Sequence, residues 1–392
     1  MSLTAFFARL DGVMRSAAMR LPPEYSIRFY SQARKYFLSR HERDIPKKDV
    51  KIPPEFARSL WGIRFRSPIF NAAGMYKNGE GYAWCALSGA GAYLAGTTTY
   101  STRQGNERNN TRLPFAPYPS SHAASNWLGL PNIGHAAVAK ILASIPRIYK
   151  CPIGVSAAFD PSASSESAFA GLIEGLELYS KAGVDFIELN ESCPNTAGHS
   201  SALQFSLEPL LLRLDETARR FLRKRSRNLP VIVKFSTDTD PDIVPFLLDA
   251  LITMGYDGVN FGNTSTNYSY CKSLVVKSEH PTFDYFTKTF GGGVSGKPLA
   301  DSSLSLVRTA ASALTAKPPR REFHVIRVGG VETASDVVES LENGASLTEW
   351  YAGYFENYSK YGANVYGKLY DELSKFPLPK AFNFASSSPQ EA

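Results

Sequence analysis

From residue 67 to 370 the chain repeats one pattern eight times: a short apolar run, a polar or glycine-rich end, then a stretch of helical periodicity. The apolar runs fall at 68–72, 92–97, 152–157, 185–190, 230–235, 258–263, 324–328 and 347–352. Helical patterns fall at 79–87, 133–143, 164–182, 207–223, 240–254, 299–313, 334–342 and 363–374. Alternation of this kind points to parallel strands joined by helical crossovers, and eight such units suggest a closed barrel rather than an open doubly wound sheet. We therefore expect an α/β protein, a (β/α)8 TIM barrel over residues 46–376, with a helical extension at 1–45 and a short Ser/Pro-containing tail at 377–392. Two long interruptions, 98–132 and 264–298, both follow strands. They belong to the C-terminal face of the barrel, where active sites and their covers are built.

A chain of 392 residues with 43% hydrophobic and 20% charged residues can bury a large core. Its four cysteines, Cys85, Cys151, Cys193 and Cys271, form no CxxC pair, and its six histidines form no metal-type cluster. Neither a disulfide framework nor a metal is expected. The net charge of +7 is modest for this length and does not point to nucleic acid.

Where the positive charge sits matters more. Residues 1–40 carry seven Lys/Arg against two acids. Leu3, Phe6, Phe7, Leu10, Val13, Met14, Ala17, Ala18 and Leu21 recur there at helical spacing, Pro22-Pro23 ends that helix, and Ile27, Phe29, Tyr30, Ala33, Tyr36 and Phe37 supply a second. Nothing in the chain offers the roughly 18 uninterrupted apolar residues that a membrane span needs. A basic amphipathic hairpin fits an interfacial anchor; it also fits a helix packed on the body of the protein, or a transit sequence.

The strand ends supply the candidate chemistry. Asn190-Glu191-Ser192-Cys193-Pro194-Asn195-Thr196 places amides, hydroxyls and a thiol directly after the fourth strand, and Pro194 biases Cys193 away from helical angles. Taken alone, that segment fits a surface thiol as well as a reactive one. Lys234 lies inside the apolar run Val231-Ile232-Val233-Lys234-Phe235, so it should point into the barrel mouth toward an anion. Gly292-Gly293-Val294-Ser295-Gly296 and Val328-Gly329-Gly330 are glycine turns, and Thr333 with Asp336 three residues on has the form of a helix cap. Each could be an ordinary turn. Together with an inward lysine they suit a phosphorylated cofactor near strands seven and eight.

These residues carry a resemblance. Asn71-Ala72-Ala73-Gly74 with Lys77, Asn126 with Gly129, Asn190 to Thr196, Lys234, Asn263-Thr264, Ser295-Gly296-Lys297-Pro298-Leu299 and Val328-Gly329-Gly330 match, in order, the motifs of the dihydroorotate dehydrogenases, flavin enzymes of pyrimidine (UMP) synthesis. The hairpin, with Leu21-Pro22-Pro23-Glu24, is similar to the extension of the membrane-associated, quinone-dependent class 2 enzymes. The resemblance implies FMN across the barrel mouth, held by Ala73, Gly74, Lys77, Thr97, Asn126, Ser156, Asn190, Lys234, Gly262, Ser295, Gly296, Gly329, Gly330, Tyr351 and Ala352. It implies dihydroorotate held by Lys77, Asn126, Leu128, Gly129, Leu130, Asn190, Asn195, Asn263 and Thr264, with Cys193 as the base that removes the C5 proton.

Class signals are mixed. Class 2 enzymes usually carry serine at the base position, whereas Cys193 and the run from Asn126 to Asn132 resemble the soluble class 1 enzymes. Ser156 stands where class 2 members usually have asparagine, and Phe115 is near the place of an arginine expected beside the quinone. The resemblance implies a peripheral membrane enzyme, on the cytoplasmic side of a bacterial inner membrane or on the mitochondrial inner membrane, that passes electrons to a membrane quinone. Fumarate or NAD is the alternative acceptor, and a catalytically silent membrane-docked barrel is the third possibility.

Overall fold

The computed structural model describes residues 2–46, 49–191 and 207–379. Its centre is eight parallel strands: β1 Ile69–Asn71, β2 Tyr93–Thr98, β3 Ile153–Ala157, β4 Phe186–Asn190, β5 Val231–Phe235, β6 Gly258–Phe261, β7 His324–Val328 and β8 Leu347–Trp350. They pair in the order β1-β8-β7-β6-β5-β4-β3-β2, so each strand lies beside its neighbours in sequence. Helices pack outside, and both faces of the sheet are covered; this is why β5 reads as a continuous buried run in spite of its lysine. The seam between β1 and β2 is closed partly by a side chain. The buried amide of Asn71 donates to the Leu94 carbonyl at 2.7 Å and accepts from the Leu94 N–H at 3.1 Å, where a three-residue strand offers few ladder bonds.

A short hairpin, Arg58–Leu60 with Ile63–Phe65, covers the N-terminal end of the barrel. Phe65, Phe70 and Phe186 meet there in tilted and edge-on contacts with centroids 5.6–6.2 Å apart. Gly154 makes room for them, since a Cβ at that position would lie 2.2 Å from the Phe186 ring. With this end plugged by aromatic rings, the chemistry belongs to the opposite end.

The two long interruptions come together over that opposite end. Phe115–Tyr118 and Ala123–Asn126, from the first, pair antiparallel, and Gly293–Gly296 from the second joins them, with Gly293 opposite Asn126. Helices Tyr268–Leu274 and His280–Thr289 pack on this three-stranded cap, giving it a small core of its own around Tyr118, Phe283, Phe286 and Val294. Periodicity gave no sign of these helices, because each is short and the first buries only Cys271. A third addition is the helix Ala352–Tyr361, which starts where strand eight was expected to continue. It has no side-chain cap and a mixed aromatic composition, so nothing in the sequence announces its start.

The extension forms the expected hairpin, α1 Leu3–Ala18 and α2 Pro23–His41, with proline at the start of α2. Contrary to the usual pattern, α1 docks by its small and polar residues. Thr4, Ala5 and Ala8 are buried, and Arg15 holds Glu356 at 2.6 Å on the helix Ala352–Tyr361. The large apolar side chains of α1 face solvent, Val13 at 82% exposure. No helix among the described residues is long and apolar enough to cross a membrane. α2 is held more firmly. Ser31 Oγ accepts from the Phe115 N–H at 3.0 Å, and His41 is sealed among Trp84, Tyr354 and Tyr358, with its Nε2 2.9 Å from the Tyr354 hydroxyl.

Candidate active site

A cavity of about 1040 Å³, counting the space open to solvent, lies between the barrel mouth and the cap. One end is a cradle of backbone. Ser295 and Gly296 leave the cap, Gly329 and Gly330 follow β7, and Ala352 and Gly353 begin a helix whose first N–H groups have no partner within the helix. The glycines are required by space as well as by angle. Gly296 has φ +100°, and a Cβ there would lie 2.2 Å from the His122 carbonyl oxygen; at Gly330, φ is +78°, and a Cβ would lie 2.4 Å from the Ala300 Cα. Exposed amides, tight backbone approach and a helix N-terminus make an anion seat suited to phosphate. The capping box expected at Thr333 is formed: Thr333 Oγ accepts from the Asp336 N–H at 3.2 Å, and Asp336 accepts from the Thr333 N–H at 2.8 Å.

Amides and hydroxyls from successive strand ends form the other end. Asn190 at the end of β4 donates to Thr97 Oγ1 at 2.9 Å and accepts from Asn263 Nδ2 at 3.3 Å. Asn263 in turn accepts from the Thr264 N–H at 2.9 Å. Asn126 faces this group from the cap, beside Leu128 and Leu130. Such a set of donors and acceptors above an apolar wall can read the edges of a small planar ring. At the outer wall α2 contributes Arg34, whose guanidinium hydrogen-bonds the Tyr351 hydroxyl and lies 5.5 Å over the Phe115 ring.

The floor carries charge. Lys234 is buried and lies 3.1 Å from Glu349 on β8 and 3.4 Å from Glu188 on β4. Burial by itself would lower its pKa, but the two carboxylates outweigh burial and hold the ammonium above its ordinary value. Burial and then the neighbouring Glu188 push the Glu349 carboxyl above the ordinary carboxylate range. The three described cysteines, Cys85, Cys151 and Cys271, are buried away from the cavity, and burial pushes the thiols of Cys151 and Cys271 up to about 11.

Residues 55–376 match the family model of dihydroorotate dehydrogenase. The chain belongs to the dihydroorotate dehydrogenase family. A dihydroorotate dehydrogenase (quinone) from a Synechococcus strain is 30% identical over 77% of this chain and 76% of its own, and one from Methylococcus capsulatus is 29% identical over 88% and 94%. Among solved structures, the DHODH of Eimeria tenella in complex with ferulenol superposes with a TM-score of 0.72 at 23% identity, covering 87% of this chain and 90% of that one. Dihydroorotate dehydrogenases are in general flavoproteins, and the glycine turns and helix N-terminus of the cradle offer backbone N–H groups of the kind that bind phosphate.

Most of the expected site residues of a dihydroorotate dehydrogenase line this one cavity: Ala73, Gly74, Lys77, Thr97, Asn126, Leu128, Leu130, Asn190, Lys234, Asn263, Thr264, Ser295, Gly296, Gly329, Gly330, Tyr351 and Ala352. Three do not reach it. Ser156 is fully buried behind Thr97, to which it hydrogen-bonds at 3.0 Å. Gly262 is turned against β7, where a Cβ would lie 1.5 Å from the Val328 oxygen, and Gly129 packs on Asn106. Lys234 lines the cavity as expected and is paired there with two carboxylates of the chain itself, Glu188 and Glu349. Cys193 and Asn195 lie outside the described residues. Sequence reasoning missed Arg34, Glu188 and Glu349. Arg34 looked like one more charge on a basic helix, and each glutamate stood within a strand with no sign of which face it took.

Proposed function

We propose that this protein oxidises dihydroorotate to orotate using FMN and passes the electrons to a membrane quinone. The observation that carries this is the single cavity joining a phosphate cradle at β7 and β8, a buried lysine on its floor, and the amide cluster of Asn126, Asn190 and Asn263. FMN, when bound, supplies the acceptor for the hydride that leaves C6. The cradle of Ser295, Gly296, Gly329, Gly330, Tyr351 and Ala352 would hold its phosphate, with Lys234 under the ring. Asn126, Asn190, Asn195, Asn263 and Thr264 would orient the planar substrate, Lys77 would meet negative charge, and Cys193 would take the C5 proton. An ordinary thiol has a pKa of about 8.5, so only a few per cent is ionised at pH 7, and the rate should rise with pH toward that value.

The hairpin supports the quinone and the membrane. Arg34 and Phe115 bring α2 and the cap to the cavity wall, so a lipophilic acceptor could approach between hairpin and barrel. The exposed apolar side chains of basic α1 suit the plane of an anionic membrane. Purified protein should be yellow and should bleach anaerobically with dihydroorotate. Cys193→Ala should keep the flavin while losing about 100- to 10,000-fold of the bleaching rate. Colourless protein would defeat the cofactor assignment, and unchanged bleaching in Cys193→Ala would remove its role. Parallel assays with a quinone, fumarate and NAD decide the acceptor; faster turnover with fumarate or NAD would overturn the quinone.

A further inference from the structure

The floor of the cavity has two acidic side chains and one basic one. Glu188 of β4, Lys234 of β5, Asn260 of β6 and Glu349 of β8 face one another inside the barrel, exposed by 2%, 3%, 0% and 1%. The other strands add no ionisable group to this layer. β7 presents Ile326, with Arg327 turned outward to Ser303 and Ser340 and His324 held at the base by Ser346 and Glu322. Phe70 of β1 is the register neighbour of Glu349, and Ser156 of β3 that of Glu188. On β2, Thr97 bonds Ser156. The cavity's other cations lie away from the floor, Arg34 at Tyr351 and Lys297 bound to Asp336 in the cradle, while Lys77 follows β1 at the mouth. The charges that act on Glu349 are those of Glu188 and Lys234.

Two ionised carboxylates against one ammonium would leave a net negative charge on side chains that are almost fully buried, which costs more than protonating one of the acids. The hydrogen bonds agree independently. Asn260 Nδ2 donates both to Glu188 Oε2 at 2.8 Å and to Glu349 Oε1 at 2.9 Å, tying the acids together. Glu188 Oε1 and Asn260 Oδ1 are then buried acceptors with no partner among the described residues. A carboxylic O–H would supply a donor to such a group, and a second carboxylate would not.

We propose that Glu188 and Glu349 share a single proton and, with Lys234, form a charge-balancing floor that binds a further proton when negative charge builds on the ring above it and releases it when that charge leaves. The coupling rests on the FMN assignment; the shared proton does not. Uptake forms an O–H bond on the remaining carboxylate with a proton from solvent, and release breaks that bond. No electron moves through the pair. The electrons come from dihydroorotate and go to the acceptor. Glu349 is thus a positioning residue for charge, acting beside Lys234.

Glu349→Gln and Glu188→Gln each keep the shape and leave one carboxylate to balance Lys234, so neither variant needs the proton. Infrared spectra of cofactor-free protein carrying 13C-glutamate should show a buried protonated carboxyl at neutral pH in the wild type and in neither variant. No such band in the wild type, or a band that survives either substitution, would overturn the shared proton. A folded-state pKa raised at Glu349 gives stability that is complete below its unfolded value and lost as pH rises through the folded one. The melting temperature of the cofactor-free wild type should therefore fall over that range, and that of Glu349→Gln should not; parallel curves would count against the proposal. In flavin-loaded protein, the reduced-to-oxidised ratio should change with pH by up to an extra tenfold per unit in the wild type, 29.6 mV for a two-electron couple. Equal slopes in wild type and the Glu188→Gln/Glu349→Gln double variant, which has no floor carboxylate left to protonate, would overturn the coupling. Should the protein bind no flavin, the cofactor assignment fails, while the infrared band and melting curves still decide the proton.

Discussion

The barrel floor and helix α1 break the inside–outside rule in opposite directions. The floor buries a lysine and two glutamates where apolar residues would pack without cost, and α1 leaves Phe6, Phe7, Leu10, Val13 and Met14 in solvent where polar ones would serve. Neither arrangement helps the fold hold together. A buried ion pair is often no better than an apolar substitute, and an apolar stripe in water is an aggregation hazard. Departures of this kind are expected where a chain gives up stability for a site, and here they fall at the two places where a cofactor and a membrane contact are proposed.

The floor can be broken most sharply at Lys234. Lys234→Ala leaves two acids with no cation, and removing one partner of a buried pair typically costs about 3–5 kcal/mol. Urea unfolding of the cofactor-free protein should show that loss at pH 8. At pH 5 the gap should narrow, because both acids can then be protonated, and flavin retention should fall in parallel. A variant as stable as the wild type at pH 8 would mean that the floor carries no strain of charge.

The two regions also differ in how far the sequence disclosed them. Eight strands were legible because parallel strands covered on both faces give continuous apolar runs, and the phosphate cradle because Gly296, Gly329 and Gly330 are obligatory glycines. Lys234 stood out as a charge inside such a run. Glu188 and Glu349 did not, since a single acid near a strand end can turn either way, and only the ring of strands brings β4, β5 and β8 together. In α1 the apolar face was correctly seen as one face, yet the sequence could not tell whether that face packs or is displayed. The answer depends on Thr4, Ala5 and Ala8, which are buried, and on Arg15, which pairs with Glu356; none of the four has a sequence signal for docking. The helix Ala352–Tyr361 that carries Glu356 had no signal at all.

A smaller effect separates the firmly held α2 from both regions. Burial pushes His41 down to about 3, so the folded state keeps it neutral while an unfolded chain protonates near 6.5. The sign follows: stability is complete above pH 6.5 and declines as pH falls toward 3, by about 2 kcal/mol at pH 5. His135, pushed down to about 4, adds a decline of its own, so the comparison must be made against His41→Phe, which leaves the Tyr354 hydroxyl its bond from Trp84 at 2.7 Å. Near-ultraviolet circular dichroism between pH 7 and 5 should show the loss in the wild type and a smaller one in that variant. An equal decline would mean that α2 is not held through neutral His41.

The smallest expected effect tests whether α1 displays its apolar face or merely tolerates it. Val13 is the most exposed residue of that face, so Val13→Asp should change unfolding free energy by no more than about 0.5 kcal/mol, as surface substitutions generally do. Binding to anionic vesicles should weaken by around tenfold, because about 1 kcal/mol of apolar burial is lost and a negative charge is set against the headgroups. Ala8→Asp is the counterpart on the docked face, where a charge placed against the helix Ala352–Tyr361 should loosen the hairpin before any vesicle is present. Added salt should weaken vesicle binding of the wild type, since its arginines act across solvent. If Val13→Asp destabilised the protein as much as Ala8→Asp and left vesicle binding unchanged, the outward face of α1 would be a packing surface, and its contrast with the charged floor would disappear.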